Sequence, residues 1–254
     1  MSKPRIAFFD FTGCEGCQLT VIDSLQTHPE LLRAVEIVNF REAMSEKGDH
    51  YQIAFIEGGY TRPEDEKRLL DIRERASMVI ALGACAHLGG VNALRNWQPQ
   101  AEVRRYVYGE SGKKYTPEPA QPIERIIPID GFIPGCPIDR EEFIQVVTRL
   151  LQNRQPRIPD YPICVECRLK ENACLILSGK CCLGPITRAG CGAICPTYGE
   201  GCEGCRGMIS TPNISGLKFA MTEHGLSEAD LNEKMRLFLS YQLIKSEKDG
   251  HDRH

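Results

Sequence analysis

Thirteen cysteines in a chain of 254 residues constrain what this sequence can fold into more than any other feature. Its start, MSKPRIAFFDFTGCEGC, carries no twin arginine, no long apolar h-region and no small-residue cleavage site, which predicts a cytoplasmic protein. Disulfides are disfavoured in that reducing compartment, so the thiols need another occupation. Soft thiolates suit iron–sulfur clusters and zinc. Three sites of four ligands use twelve of the thirteen thiols and leave one spare.

The first half alternates apolar runs with helical patterns. Strands are predicted over 5–11, 35–40, 52–57 and 78–82, and helices over 20–32 and 64–75. A further strand over 126–129 and a helix over 140–153 close the unit. Strands separated by helices of about a dozen residues predict a parallel, doubly wound α/β sheet, with Phe8, Phe9 and Phe11 in its core. Such sheets place their chemistry beyond the strand C-terminal ends. Cys14 and Cys17 follow the first strand, Cys85 follows 78–82, and Cys136 lies in the loop GFIPGCP. These four thiols are predicted to converge at one sheet edge.

Residues 155–162 (QPRIPDYP) hold three prolines and read as a linker. Beyond it, nine cysteines crowd between Cys164 and Cys205 among Gly, Pro and Thr. That segment has few apolar residues for a core, so bound clusters are expected to hold it together. Residues 227–244 read as an amphipathic terminal helix through Leu231, Met235, Leu237, Phe238 and Leu243, followed by a frayed charged tail. The domains are thus 1–155 and 156–254.

The cysteines fall into three constellations. The first is Cys14-x2-Cys17 with Cys85 and Cys136; a lone CxxC also suits a thioredoxin-like redox motif, but that leaves Cys85 and Cys136 without a purpose. Flanking glycines let backbone N–H groups approach inorganic sulfide. The second is Cys164-x2-Cys167-x6-Cys174 with Cys181 or Cys182, and the third is Cys191-x3-Cys195-Pro196 with Cys202-x2-Cys205. The C-x3-C-P run is similar to the end of bacterial ferredoxin motifs, whose last cysteine serves the other cluster, so ligand sharing between the two sets stays open. Cys182 opens the tighter turn CLGP, which favours Cys181 as the spare. Two four-cysteine zinc sites fit the same spacing.

Net charge is −3, with basic residues matched by acidic ones, so there is no electrostatic footprint for nucleic acid. No stretch approaches the roughly 18 apolar residues of a membrane span. Glu15, between the first two cysteines, is either a proton relay toward a partner or a turn carboxylate. His87 reads as a hydrogen-bonded loop histidine near the first set, and Arg188 and Arg206 as either counter-charges to clusters or solvated loop arginines.

The runs FTGCEGCQLTVID, ALGACAHLGGV and IPGCPIDREEF resemble the small subunits of [NiFe] hydrogenases and the related cluster-bearing subunit of respiratory complex I (the NADH:ubiquinone oxidoreductase 20 kDa subunit-like family). The later runs DYPICVECRLKENACL, CCLGPITRAGCGAICP and CEGCRGMI resemble the cytoplasmic branch, especially sulfhydrogenase delta subunits and methyl-viologen-reducing hydrogenase small subunits. The resemblance implies a flavodoxin-like domain, then a small, loop-rich ferredoxin-like iron–sulfur domain and a C-terminal helix. It implies a proximal [4Fe–4S] cluster on Cys14, Cys17, Cys85 and Cys136, a distal one on Cys164, Cys167, Cys174 and Cys182, and a medial one on Cys191, Cys195, Cys202 and Cys205. Periplasmic relatives use a distal histidine and often a three-iron medial cluster. Cys164 stands at that histidine position and the third run has four cysteines, so three [4Fe–4S] clusters are expected.

The catalytic nickel–iron site of this family lies in a large subunit. The resemblance therefore implies an electron relay between that subunit and a flavin/iron–sulfur diaphorase, NAD(P)-linked or other acceptor, with no catalytic group in this chain beyond the proton relay suggested for Glu15. The alternatives are a complex I-like relay and a structural zinc scaffold. Complex I subunits carry adjacent cysteines in the first motif, where this chain has Cys14-x2-Cys17.

Overall fold

The computed structural model describes residues 3–251, with side chains described through residue 246. Strand β1 (Arg5–Asp10) leads through helices α1 (Gly16–Thr27) and α2 (Glu30–Ala34) to β2 (Glu36–Phe40). β3 (Ile53–Glu57), α3 (Glu64–Arg75) and β4 (Met78–Leu82) follow, and α4 (Gly83–Leu88) starts directly at the end of β4. A 3-10 turn (Val91–Trp97), α5 (Gln100–Tyr108) and two further 3-10 turns precede β5 (Gly131–Ile133) and α6 (Arg140–Leu151). All pairings are parallel and the order is β2-β1-β3-β4-β5, the doubly wound order of flavodoxin-like sheets.

Alternation along the strands divides the apolar side chains between two faces. Ile6, Phe8, Phe55 and Ile80 pack with Val21 of α1 and Phe143, Val146 and Leu150 of α6. Ala7, Phe9, Ile56 and Val79 pack with Leu69 and Ile72 of α3. Phe8 stacks on Phe55 with ring centroids 5.1 Å apart. Covered on both faces, these strands are near-continuous apolar runs, and each large side chain contributes roughly 1.5–3 kcal/mol relative to exposure.

Two expected elements differ. The single helix over 20–32 is two helices, α1 from Gly16 and α2 from Glu30. Pro29 disfavours helical geometry at His28 and cannot continue the hydrogen-bond ladder, so the chain breaks there. The strand expected over 126–129 is instead β5 at Gly131–Ile133. Pro128 has no N–H to give a ladder, and Ile126 and Ile127 pack on the α3 face of the sheet.

The later region carries α7 (Cys164–Leu169), a 3-10 turn (Ile176–Ser178), α8 (Ile194–Thr197), α9 (Ile214–Glu223) and α10 (Glu228–His251). Short backbone bridges frame it, Pro162 with Arg188 and Thr187 with Met208. Its apolar core forms where the cysteine-rich segment meets the two last helices. Leu183 and Ile186 meet Leu217 and Met221 of α9 and Leu231, Met235 and Leu239 of α10, with Cys182 and Cys202 inside the cluster. α10 also reaches back to the sheet region, where the Trp97 indole N–H donates to Ser240 Oγ at 2.7 Å and Arg236 lies over the Trp97 ring. The tail expected to fray is helical to His251, and the rest of it lies outside the described residues. Among the described residues no helix is long and apolar enough to cross a membrane.

Candidate functional site

The first four cysteines come from three strand ends. Cys17 sits in the first turn of α1 after β1, Cys85 in α4 after β4, and Cys136 three residues past β5. Glu15 adopts a left-handed φ of 64°, turning the chain so that Cys14 and Cys17 flank one bend. The thiol of Cys17 feels Cys85 and Cys136, and that of Cys85 feels Cys136 and Cys14; the four form one mutually interacting group. Gly83, at φ +82°, makes this possible, because a Cβ there would lie 2.4 Å from Cys17 Sγ.

Burial, reinforced by neighbouring acids and thiols, pushes the Cys17 thiol far up and that of Cys85 up to about 12. A reactive thioredoxin-like cysteine needs the opposite shift. Gathered thiols that resist ionising by themselves suit a site where iron supplies the compensating positive charge.

The second set gathers likewise. Burial and the neighbouring Cys182, Cys167 and Cys174 sulfurs raise the Cys164 thiol to about 12. The sulfurs of Cys164 and Cys182 both lie within 3.4 Å of the point where a side chain at Gly184 would place its Cβ, so only glycine leaves that space open. Cys181 turns elsewhere: its thiol faces α10 and donates to the Asp230 carbonyl at 3.7 Å. In the third set, burial and then Cys191 raise the Cys205 thiol to about 12, while burial and the nearby Cys191 raise Cys195. Cys202, also pushed up by burial, feels Cys205 and Cys182.

The third set touches both others. The backbone amide of Cys136 faces the Cys205 sulfur, and the backbone N–H of Cys202 donates to Cys182 Sγ at 3.2 Å. In space the order is therefore first, third, second. All thirteen cysteines are free of disulfides. Among the described residues no three His, Cys, Asp or Glu groups converge tightly enough to hold a single metal ion.

Several residues around these sets escape sequence reading. Glu57, at the end of β3 and only 3% exposed, accepts the α1 amides of Cys17 and Gln18 at 3.1 and 2.9 Å; burial raises its pKa against those hydrogen bonds. Asn92 Nδ2 approaches Cys85 Sγ at 3.6 Å, and Asn172 Nδ2 approaches Cys167 Sγ at 3.7 Å. The one available signal was the carboxylate directly before Gly58–Gly59 at a strand end; the asparagines gave none.

Other candidates settle into defined places. His87, half-buried in α4, stacks on Phe132 with ring centroids 3.7 Å apart, and among the described residues its Nδ1 has no hydrogen-bond partner; burial and then the Arg188 charge lower its pKa to about 4, so it is a stacked helix histidine and not a hydrogen-bonded loop one. Neither arginine is a solvated loop side chain. Arg188 donates to Asp160 and to the Pro159 and Met208 carbonyls, while Arg206 is 1% exposed. Glu15 stands beside Glu42, whose charge is the main cause of its raised pKa, followed by burial.

Comparison with known proteins follows the same lines. The family described as NADH ubiquinone oxidoreductase, 20 Kd subunit, matches residues 14–150. Sulfhydrogenase 2 subunit delta of Pyrococcus furiosus is 35% identical over 92% of this chain and 98% of its own length. A vhu subunit of the F420-non-reducing hydrogenase of Methanocaldococcus jannaschii is 33% identical over 94% of each. Among solved structures, a chain of an NAD+-reducing [NiFe]-hydrogenase superposes with a TM-score of 0.56 at 29% identity, covering 62% of this chain and 96% of the other. A chain of the Desulfomicrobium baculatum [NiFeSe]-hydrogenase, at 14% identity and a TM-score of 0.60 over 90% of this chain and 100% of its own, shares the fold.

Proposed function

This chain belongs to the NADH ubiquinone oxidoreductase 20 Kd subunit family, and from that we propose that it is the electron-transfer small subunit of a cytoplasmic [NiFe] hydrogenase. It relays electrons between the nickel–iron site of a large subunit and an acceptor, an NAD(P)-linked flavin/iron–sulfur diaphorase being the one the sulfhydrogenase likeness favours. The groups doing so are three [4Fe–4S] clusters. The ligands are Cys14, Cys17, Cys85 and Cys136 for the proximal one, Cys191, Cys195, Cys202 and Cys205 for the medial one, and Cys164, Cys167, Cys174 and Cys182 for the distal one. A flavodoxin-like unit over 1–155 and an iron–sulfur unit over 156–254 are the division this implies, with Glu15 as the candidate proton relay.

The observation that carries this reading is the unbroken succession of thiols, in which Cys205 meets the Cys136 amide and the Cys202 amide meets Cys182. When bound, iron–sulfur clusters supply one-electron transfer at potentials set by burial, charge and hydrogen bonds to sulfur. The chain's own work is to fix those settings. α1 and α4 aim their first turns at one sheet edge, Glu57 holds the α1 amides, Asn92 and Asn172 supply side-chain donors toward sulfur, and the buried core excludes water.

Anaerobic purification followed by iron, sulfide and zinc analysis tests the reading. About twelve irons and twelve acid-labile sulfides per chain are expected from three cubanes. Stoichiometric zinc, or a colourless folded chain with ordinary thiols, overturns it.

A further inference from the structure

Arg206 is the largest fully buried side chain of the described residues, and it follows Cys205 directly. Its guanidinium is shared between two loops and helix α6. Nε donates to the Ala189 carbonyl at 2.8 Å and the Arg188 carbonyl at 3.2 Å, two and three residues before Cys191. Nη1 donates to the Pro134 carbonyl at 3.0 Å, two residues before Cys136. Nη2 donates to Glu142 Oε1 of α6 at 2.7 Å. One planar fork thus ties the loop of the first cysteine set to two loops of the third.

The space is reserved for it. A Cβ at Gly190 would lie 2.2 Å from Arg206 Nη2, and Gly190 sits at φ +118°, so only glycine admits the guanidinium there. Among the described residues Glu142 is its one carboxylate partner, and the second carboxylate oxygen, Oε2, has no hydrogen bond. A buried ion pair of this kind is no cheap source of stability, because desolvation offsets most of its Coulomb energy. Its placement where the first and third sets meet calls for another reason.

The geometry points to Arg206 as a positioning residue that fixes the separation of the proximal and medial clusters and, balanced by Glu142, sets the charge felt at the medial one. This rests on the relay reading above. When one electron passes from one cluster to the other, the receiving cluster gains a negative charge and the donor loses one. A permanent guanidinium charge favours the reduced form beside it, and the carboxylate tempers that effect.

The test is an EPR-monitored redox titration of the anaerobic large–small subunit complex, after iron analysis. The medial signal is assigned by its loss in Cys195→Ser. Glu142→Gln leaves the arginine charge unbalanced and is expected to move the medial potential upward, while Arg206→Gln moves it downward and the distal signal stays in place. A purely structural role moves the potentials of both later clusters together, or neither, and either result overturns the inference. If Arg206→Gln fails to assemble, Glu142→Gln decides alone, and an unmoved medial potential in the cluster-loaded variant overturns it. A wild-type complex without iron would instead sink the relay reading, and this inference with it.

Discussion

The sheet region and the cysteine-rich region gather their thiols by opposite means. In the first, four cysteines from three distant segments meet because a parallel sheet carries three loops to one edge, and the apolar layers on its two faces contain one of them, Cys17. In the second, nine cysteines close in sequence fold around themselves, and the side chains of Cys182 and Cys202 are part of the core. The first region has a scaffold that owes little to its ligand site. The second packs its cysteines into its core, so metal bound to them would also contribute folding energy.

Removal of iron by a chelator under reducing conditions is the sharpest way to break this contrast. Backbone amides of β1, β3 and β4 are expected to keep their hydrogen-exchange protection, while those of 183–209 lose it. Equal loss in both regions would show that the sheet also depends on its cluster. Next in size is Cys85→Ala. H2-dependent dye reduction should fall to background with about four irons lost of about twelve, while the later clusters persist by EPR.

A finer test separates two neighbours. Cys182→Ser should lose the distal cluster and weaken the later region, whereas Cys181→Ser, whose thiol faces Asp230, should retain wild-type iron; the reverse result would exchange their roles. Smallest are the helix caps, one in each region. Asp139 Oδ1 accepts the Glu142 amide at 2.9 Å ahead of α6, and Asn213 Oδ1 accepts the Gly216 amide at 2.8 Å ahead of α9. Each substitution to Ala should cost about 0.5–2 kcal/mol in denaturant unfolding. If the later region is held mainly by its clusters, the Asn213→Ala loss should grow visible only in the iron-depleted chain, while Asp139→Ala shows in both.

Much of the architecture was legible in the order of residues. The strands at the start and middle of the sheet are apolar on both faces and needed no partner to be recognised. The failures have local causes. Pro29 split an expected helix and Pro128 displaced an expected strand, and α9 was missed because its buried positions, Leu217 and Met221, are too few for a clear stripe. The later core was legible only in part, since it is assembled from α9 and α10 against a segment with little apolar content of its own.

Sequence by itself determined the chemistry. Residue type and spacing made thiolate metal sites the economical use of thirteen cysteines, because ligand softness is a property of the side chain and CxxC geometry is local. Only tertiary structure decided that Cys181 turns away while Cys182 turns in, that the third set stands between the other two, and that Glu57 and Arg206 are buried against the ligand loops. Those outcomes depend on which loops the sheet and α10 bring together. Contacts between residues far apart in the chain leave no pattern in any one segment.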